Sequence, residues 1–491
     1  MKVLLIGMDG ASRNTFERGW TPYISQLLAK GKDLGLKTDL FSRGWLEIAT
    51  GEPASITTAM YDRPKCNGTT EWQEKFKITD IPDLGVSIKP IWQRLNEKGY
   101  SVGIMNLPTT FPAPAVKGFF VSGGGGGGAI VQKPTSELCF PQSILADLVE
   151  ENYIIDERIE QQVIEKGRTT SNEIFERLAY KNAMRTNSFI RLSKKFNVDF
   201  GFIVYKTSSV LAESFVQLDW YRYIEDSDFV DTELLRTIEN YYKNFDLEVE
   251  KLHKSFPDTE LFFVADHGHI LRSHSVNPNR FLISNGFQVE GSVKSSVFAV
   301  VNLLKRLLPF WLKKTLKKRN KINQLASNAI SFDANKTYAF CRSFGDWRYG
   351  IYINDEKRFG GKVKTEDINT IAKRIVDQFN ADSTVQKYKI NAKIRDFTPT
   401  TLSTPDGLYP DIIIEVPDGY LITDKTQEFI KDYQAPSALS GLEAVLRGEI
   451  TSMKSTTPIS VCYGDKISKS SSAAPYTELL DVYKIIDLTF T

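Results

Sequence analysis

Cysteine is scarce, with four in 491 residues, and none of Cys66, Cys139, Cys341 and Cys462 forms a Cys-x-x-Cys pair. That excludes a zinc ribbon and a dithiol redox motif and leaves isolated reduced thiols. Histidine is equally rare, at four. Charge of one sign is missing as well: 62 basic against 60 acidic side chains give +2, so no global field argues for nucleic acid as a partner. No stretch reaches the roughly 18 apolar residues of a membrane span. The N-terminus offers Met1-Lys2 and then only Val3-Leu4-Leu5-Ile6-Gly7. This run is shorter than the ~7–15 residues of a secretory h-region, and a cytoplasmic protein is expected.

What is present alternates. Val3–Gly7 reads as a buried strand that delivers Met8-Asp9-Gly10 at its C-terminal end, and Pro22–Lys30 follows with helical spacing. A helix over Ile88–Lys98 closes at Gly99 before a strand over Ser101–Met105, and Val116–Ser122 is a further strand. Ile144, Leu145, Leu148 and Val149 lie on one helical face within a segment, 140–195, expected to form a helical cap. Phe200–Tyr205 is a strand, Thr232–His253 a long amphipathic helix, and Leu261–Ala265 a strand ending in Asp266-His267-Gly268-His269. Strand patterns return over 337–353 and 411–415, and Ile459–Cys462 and Leu479–Ile486 complete the core. Such alternation predicts a mostly parallel sheet flanked by helices, with ligands bound outside the carboxyl ends of the strands.

Two segments stand apart. Gly123 to Gly128 lacks the lysine and Ser/Thr of a phosphate loop and reads as a flexible loop. Residues 287–335 read as a basic helical insertion. Its stretch 303–321 is amphipathic, interrupted by Pro309, and suits either a solvated helical cap or peripheral contact with an anionic membrane.

Gly7-Met8-Asp9-Gly10 and Asp266-His267-Gly268, taken with Trp45 to Gly51, Pro90-Ile-Trp-Gln-Arg-Leu, Asn277–Gly286 and Tyr349-Gly-Ile-Tyr-Ile-Asn, fall in one order along the chain. The chain resembles the alkaline phosphatase superfamily, in its type I phosphodiesterase/nucleotide pyrophosphatase branch. The resemblance implies a single α/β domain over 1–491 with helical cap insertions, and a centre of two divalent ions flanking a Thr or Ser nucleophile.

Carried over, Asp9, Asp266 and His267 match the ligands of one metal, although an aspartate at a strand end can also be a turn residue or a helix cap. The rest departs from the family pattern. The nucleophile position falls on Phe41, so either its neighbour Ser42 attacks or nucleophilic catalysis is lost. The family's Asp-x-x-x-His falls on Ser209 and Glu213, and its last histidine near Lys454. Glu213 could still ligate, Lys454 and Arg43 could clamp phosphate oxygens, or Glu213 and Lys454 could form a salt bridge where a second metal would sit. His269 and His274 are further candidate ligands, and His253 is expected at the surface.

The expectation is a phosphoryl-transfer enzyme using one zinc or manganese on a phosphorylated small molecule or glycan. The alternative is an inactive relative that binds a phosphorylated ligand or a partner protein, possibly in surface-polysaccharide biosynthesis.

Overall fold

The computed structural model describes residues 1–61, 63–73, 76–124, 133–156, 171–209, 211, 232–291, 332–342, 350–395, 405–424, 426–433 and 452–491. Two compact units form. The first comprises Met1–Tyr61, Lys75–Ser273 and Tyr433–Thr491; the second comprises Asp62–Glu74 and His274–Asp432.

Val3–Met8 is apolar and buried at every position, so it has no face to give to water. It lies inside an eight-stranded sheet. Its order is Lys32–Asp33, Ser460–Tyr463, Glu260–Val264, Val3–Met8, Phe200–Tyr205, Val102–Leu107, Gly118–Ser122 and Cys139–Phe140. The five strands from Glu260–Val264 to Gly118–Ser122 run parallel; the outer pairings are antiparallel.

Alternate side chains feed two cores. Val3 and Leu5 pack with Leu46, Leu95, Val482 and Ile485 on one face, while Leu4, Ile6 and Met8 pack with Leu27, Ile144, Phe189 and Val249 on the other. The helices Gly44–Thr50, Ile91–Glu97 and Asp481–Thr489 cover the first face. Pro22–Lys30, Ile144–Glu150, Ser171–Lys195 and Thr232–Lys254 cover the second. This is the alkaline-phosphatase-like α/β architecture the sequence pointed to.

Some details differ from the sequence expectation. The helix expected from Ile88 begins at Ile91, after Pro90, whose fixed φ suits a helix start. In Ile144–Glu150 the i/i+4 pair Ile144 and Leu148 faces the sheet, and Val149, about 100° further round, is 56% exposed. His253 is half-buried rather than on the surface: its Nδ1 meets the Tyr23 hydroxyl at 2.9 Å, and burial lowers its pKa. Residues 303–321, Glu213 and most of the glycine run lie outside the described residues. No helix among the described residues is long and apolar enough to cross a membrane.

The second unit has its own antiparallel sheet, ordered Ala339–Cys341, Gly350–Ile353, Ile412–Glu415 and Asn391–Ile394. The amphipathic helix Ile368–Ala381 packs on it through Ala372, Ile375 and Phe379. Beside this core, Arg358 is buried with two carboxylates: its Nε donates to Asp355 Oδ2 at 2.6 Å and its Nη2 to Asp411 Oδ2 at 2.7 Å.

Candidate metal centre

Because neighbouring strands run parallel, their carboxyl ends converge on one edge of the sheet. Asp9 follows Met8, and its N–H donates to Tyr205 O at 3.1 Å. Asp266 and His267 follow Glu260–Val264, the adjacent strand. One potential ligand atom from each of the three lies within 4.8 Å of the others, and all three residues are buried. His267 Nε2 is 3.7 Å from Asp9 Oδ1 and 3.6 Å from Asp266 Oδ1.

Each carboxylate is held by an aromatic residue with a polar tip. Trp45 Nε1–H donates to Asp9 Oδ2 at 2.9 Å, and the Tyr61 hydroxyl donates to Asp266 Oδ2 at 3.1 Å. Lys454 Nζ in turn donates to the Tyr61 oxygen at 3.0 Å. Lys454 reaches this place because Ser452–Ser455 pairs antiparallel with Gly268–Leu271, setting Lys454 opposite His269. His267 Nδ1 meets Gly268 O at 2.9 Å, which turns Nε2 toward the two aspartates. His269 does not join them: its Nδ1 meets Gly10 O at 2.8 Å, and its ring lies edge-on to His267. The packing is close throughout. A Cβ at Gly44 would come within 2.5 Å of Asp266 O, and one at Gly7 within 2.8 Å of the Trp45 ring.

The electrostatics describe a cluster short of positive charge. Burial, then the charge of Asp9, pushes the Asp266 carboxyl up to about 8, with Lys454 and the Tyr61 hydroxyl opposing. Burial, then Lys454 and His269, holds the His267 imidazole well below its ordinary range, so it is neutral and can offer a lone pair. Burial and both aspartates push the Tyr61 phenol up, which keeps it a donor. Asp266 Oδ1 is buried and meets no hydrogen-bond donor. An ionised carboxylate oxygen in that condition is costly unless a cation satisfies it. Two carboxylates and a neutral imidazole form the donor set of a divalent ion such as zinc or manganese, so the residues fit a metal.

The other sequence candidates are placed as follows. Ser42 is buried; its hydroxyl donates to Asp39 Oδ2 at 3.1 Å and accepts the Ala54 N–H at 3.3 Å. Asp39 Oδ1 also accepts the N–H groups of Phe41 and Ser42. Arg43 donates to the carbonyls of Met60 and Tyr61 at 2.7 and 3.1 Å, so these two donors face backbone. Ser209 is buried in the turn after Phe200–Tyr205, and neighbouring Ser208 Oγ donates to Asp9 O at 2.6 Å. His274 belongs to the second unit, 3.2 Å from Asp432 Oδ1 and against the Tyr420 ring. Sequence reasoning missed Tyr61 altogether and used Trp45 only as a landmark. The signal available for each was an aromatic side chain with one polar atom.

A sequence model described as type I phosphodiesterase / nucleotide pyrophosphatase matches residues 3–435. No curated protein sequence matches the chain. Among solved structures, phosphonoacetate hydrolase from Sinorhizobium meliloti 1021, in complex with phosphonoacetate, is similar at 11% identity and a TM-score of 0.55, covering 100% of this chain and 95% of that one. An inactive form of murine ectonucleotide pyrophosphatase/phosphodiesterase 5, in complex with AMP, is similar at 12% identity and a TM-score of 0.43, covering 100% and 95%. At such identity the first likeness shows the fold alone.

Proposed function

Since the chain belongs to the type I phosphodiesterase/nucleotide pyrophosphatase family, we propose that it is a phosphoryl-transfer hydrolase or phosphotransferase built around a single divalent ion. Asp9, Asp266 and His267 would hold the ion, zinc or manganese. Bound there, it would polarise a phosphoryl oxygen of a phosphorylated small molecule or glycan. The observation that carries this reading is the grouping of one ligand atom each from Asp9, Asp266 and His267 within 4.8 Å of one another, all three residues being buried.

Protein groups supply the remaining roles. Trp45 and Tyr61 each engage Oδ2 of their aspartate and leave Oδ1 facing His267 Nε2. Lys454 brings a fixed positive charge through Tyr61 and offsets the charge that builds on a phosphoryl oxygen. Ser42 is the proposed nucleophile: as its Oγ bonds to phosphorus and the bond to the leaving oxygen breaks, its proton passes to Asp39, already its acceptor. Water then releases the phosphoryl group from Ser42 and regenerates the hydroxyl.

The test is metal content by mass spectrometry on full-length protein purified without chelator. About one ion per chain, lost in Asp266→Ala, is expected; none, even after metal is added back, would overturn the reading. Ser42→Ala should then abolish hydrolysis of a generic diester while keeping the ion. A chain that keeps the ion yet turns over no diester is instead the non-catalytic relative, a second reading that the engagement of the Ser42 hydroxyl with Ala54 N–H favours.

A further inference from the structure

Glu47 is a buried carboxyl that the proposed mechanism leaves unused. It sits in the helix Gly44–Thr50, where all seven residues are buried. A glutamate so placed is ordinarily paired with a cation. The charges acting on it most strongly are instead those of Asp39, Glu478 and Asp266, all negative. Burial, then the charge of Asp39, pushes the Glu47 carboxyl well above the ordinary carboxylate range, against the opposing pull of a hydrogen bond with the Ser42 side chain. That keeps Glu47 a neutral acid, and a neutral acid needs no cation.

The hydrogen bonds around Ser42 fix where the proton of that acid goes. A hydroxyl has one proton to give and two lone pairs with which to receive. Ser42 Oγ gives its proton to Asp39 Oδ2 at 3.1 Å and receives the Ala54 N–H at 3.3 Å. Its contact with Glu47 therefore uses the second lone pair, and the proton in that contact comes from Glu47. Asp39 is the opposite partner. Its Oδ1 accepts the N–H groups of Phe41 and Ser42 at 2.8 and 2.9 Å, so with the Ser42 hydroxyl it receives three donors. Two carboxyls thus flank one hydroxyl, one of them accepting from it and the other donating to it.

We infer that Glu47 is a positioning residue for Ser42: by donating to Oγ it commits the hydroxyl's own proton to Asp39 and holds Oγ in the orientation from which it attacks. The inference rests on the proposed role of Ser42 as nucleophile and adds the residue that aims it. With Glu47 ionised, the Ser42 proton would have two carboxylates to choose between, and its donation to Asp39 would no longer be fixed. Burial beside Asp39 opposes this, because a second negative charge is costly there.

Infrared difference spectra of full-length protein at neutral pH read the Glu47 proton directly, whether or not Ser42 reacts. Wild type should show a carboxylic-acid carbonyl band that Glu47→Gln lacks, and Ser42→Ala should shift that band; Asp266 contributes to all three and cancels. No such band, or one that Ser42→Ala leaves in place, would overturn the inference. Covalent labelling of Ser42 by a phosphonofluoridate, followed by mass spectrometry, reads the positioning. Glu47→Leu should label about tenfold more slowly, the worth of one orienting hydrogen bond, and Glu47→Gln, whose amide keeps a donor, should recover most of the rate. Equal labelling of wild type and Glu47→Leu would reduce Glu47 to a packing role and overturn the inference. If Glu47→Leu fails to fold, Glu47→Gln and Ser42→Ala still decide through the infrared band. A wild type that shows the band yet takes no label overturns the nucleophile, and the positioning role with it, whereas a missing band overturns the inference alone, so the two failures are distinguishable.

Discussion

Two buried clusters in this chain each bring two aspartates together, and they resolve the conflict in opposite ways. In the second unit Arg358 reaches both Asp355 and Asp411. In the first, Asp9 and Asp266 are joined by an imidazole held neutral, with Lys454 one hydroxyl away. Burial does not separate the two, and neither does an idle oxygen, since Asp411 Oδ1 also meets no donor. Resident positive charge does. Where a guanidinium already lies between the carboxylates the cluster is neutralised from within the chain; where none does, the residues fit a cation from solution.

The contrast can be attacked from either side. The largest effect is expected at the complete cluster: Arg358→Met strands two buried carboxylates and should cost about 3–5 kcal/mol in urea unfolding, with metal content unchanged. A smaller effect of opposite sign is expected at the incomplete one. The folded pKa of Asp266, about 8, lies above its ordinary 3.8, so its contribution is fully present below pH ~4 and is lost as pH rises from ~4 to ~8. Chelator-treated protein should therefore lose stability across that window. Asp266→Asn should flatten the slope and recover roughly 2–5 kcal/mol at pH 8. A flat wild-type profile would mean that the centre is already neutralised. The smallest effect belongs to Tyr61→Phe, which keeps all three ligands but frees Asp266 Oδ2. Competition titration with a metal indicator should show roughly tenfold weaker binding, and a change below twofold would reduce Tyr61 to a packing role.

Much of the fold was legible because its elements carry clear local patterns: the helix Pro22–Lys30 and the strand Phe200–Tyr205 fall where the pattern puts them. Asp9, Asp266 and His267 could be named because they match the ligand pattern of the resembled family, and each lies just beyond a parallel strand at the sheet's carboxyl edge. Tyr61 could not. It comes from an irregular segment, and its approach to Asp266, 205 residues away, is set by tertiary packing with no local period. Val149 shows the same limit on a smaller scale, since an apolar residue one position past a buried one can face water.

Gly44 gives the centre an unusual vulnerability. With no room for a methyl group against the Asp266 carbonyl, an alanine there would have to displace the strand end that presents the ligand, although position 44 supplies no donor atom. On the proposed reading, residue 44 would act on metal affinity through bulk alone: a side chain there would shift Asp266 without removing any of the three proposed ligands.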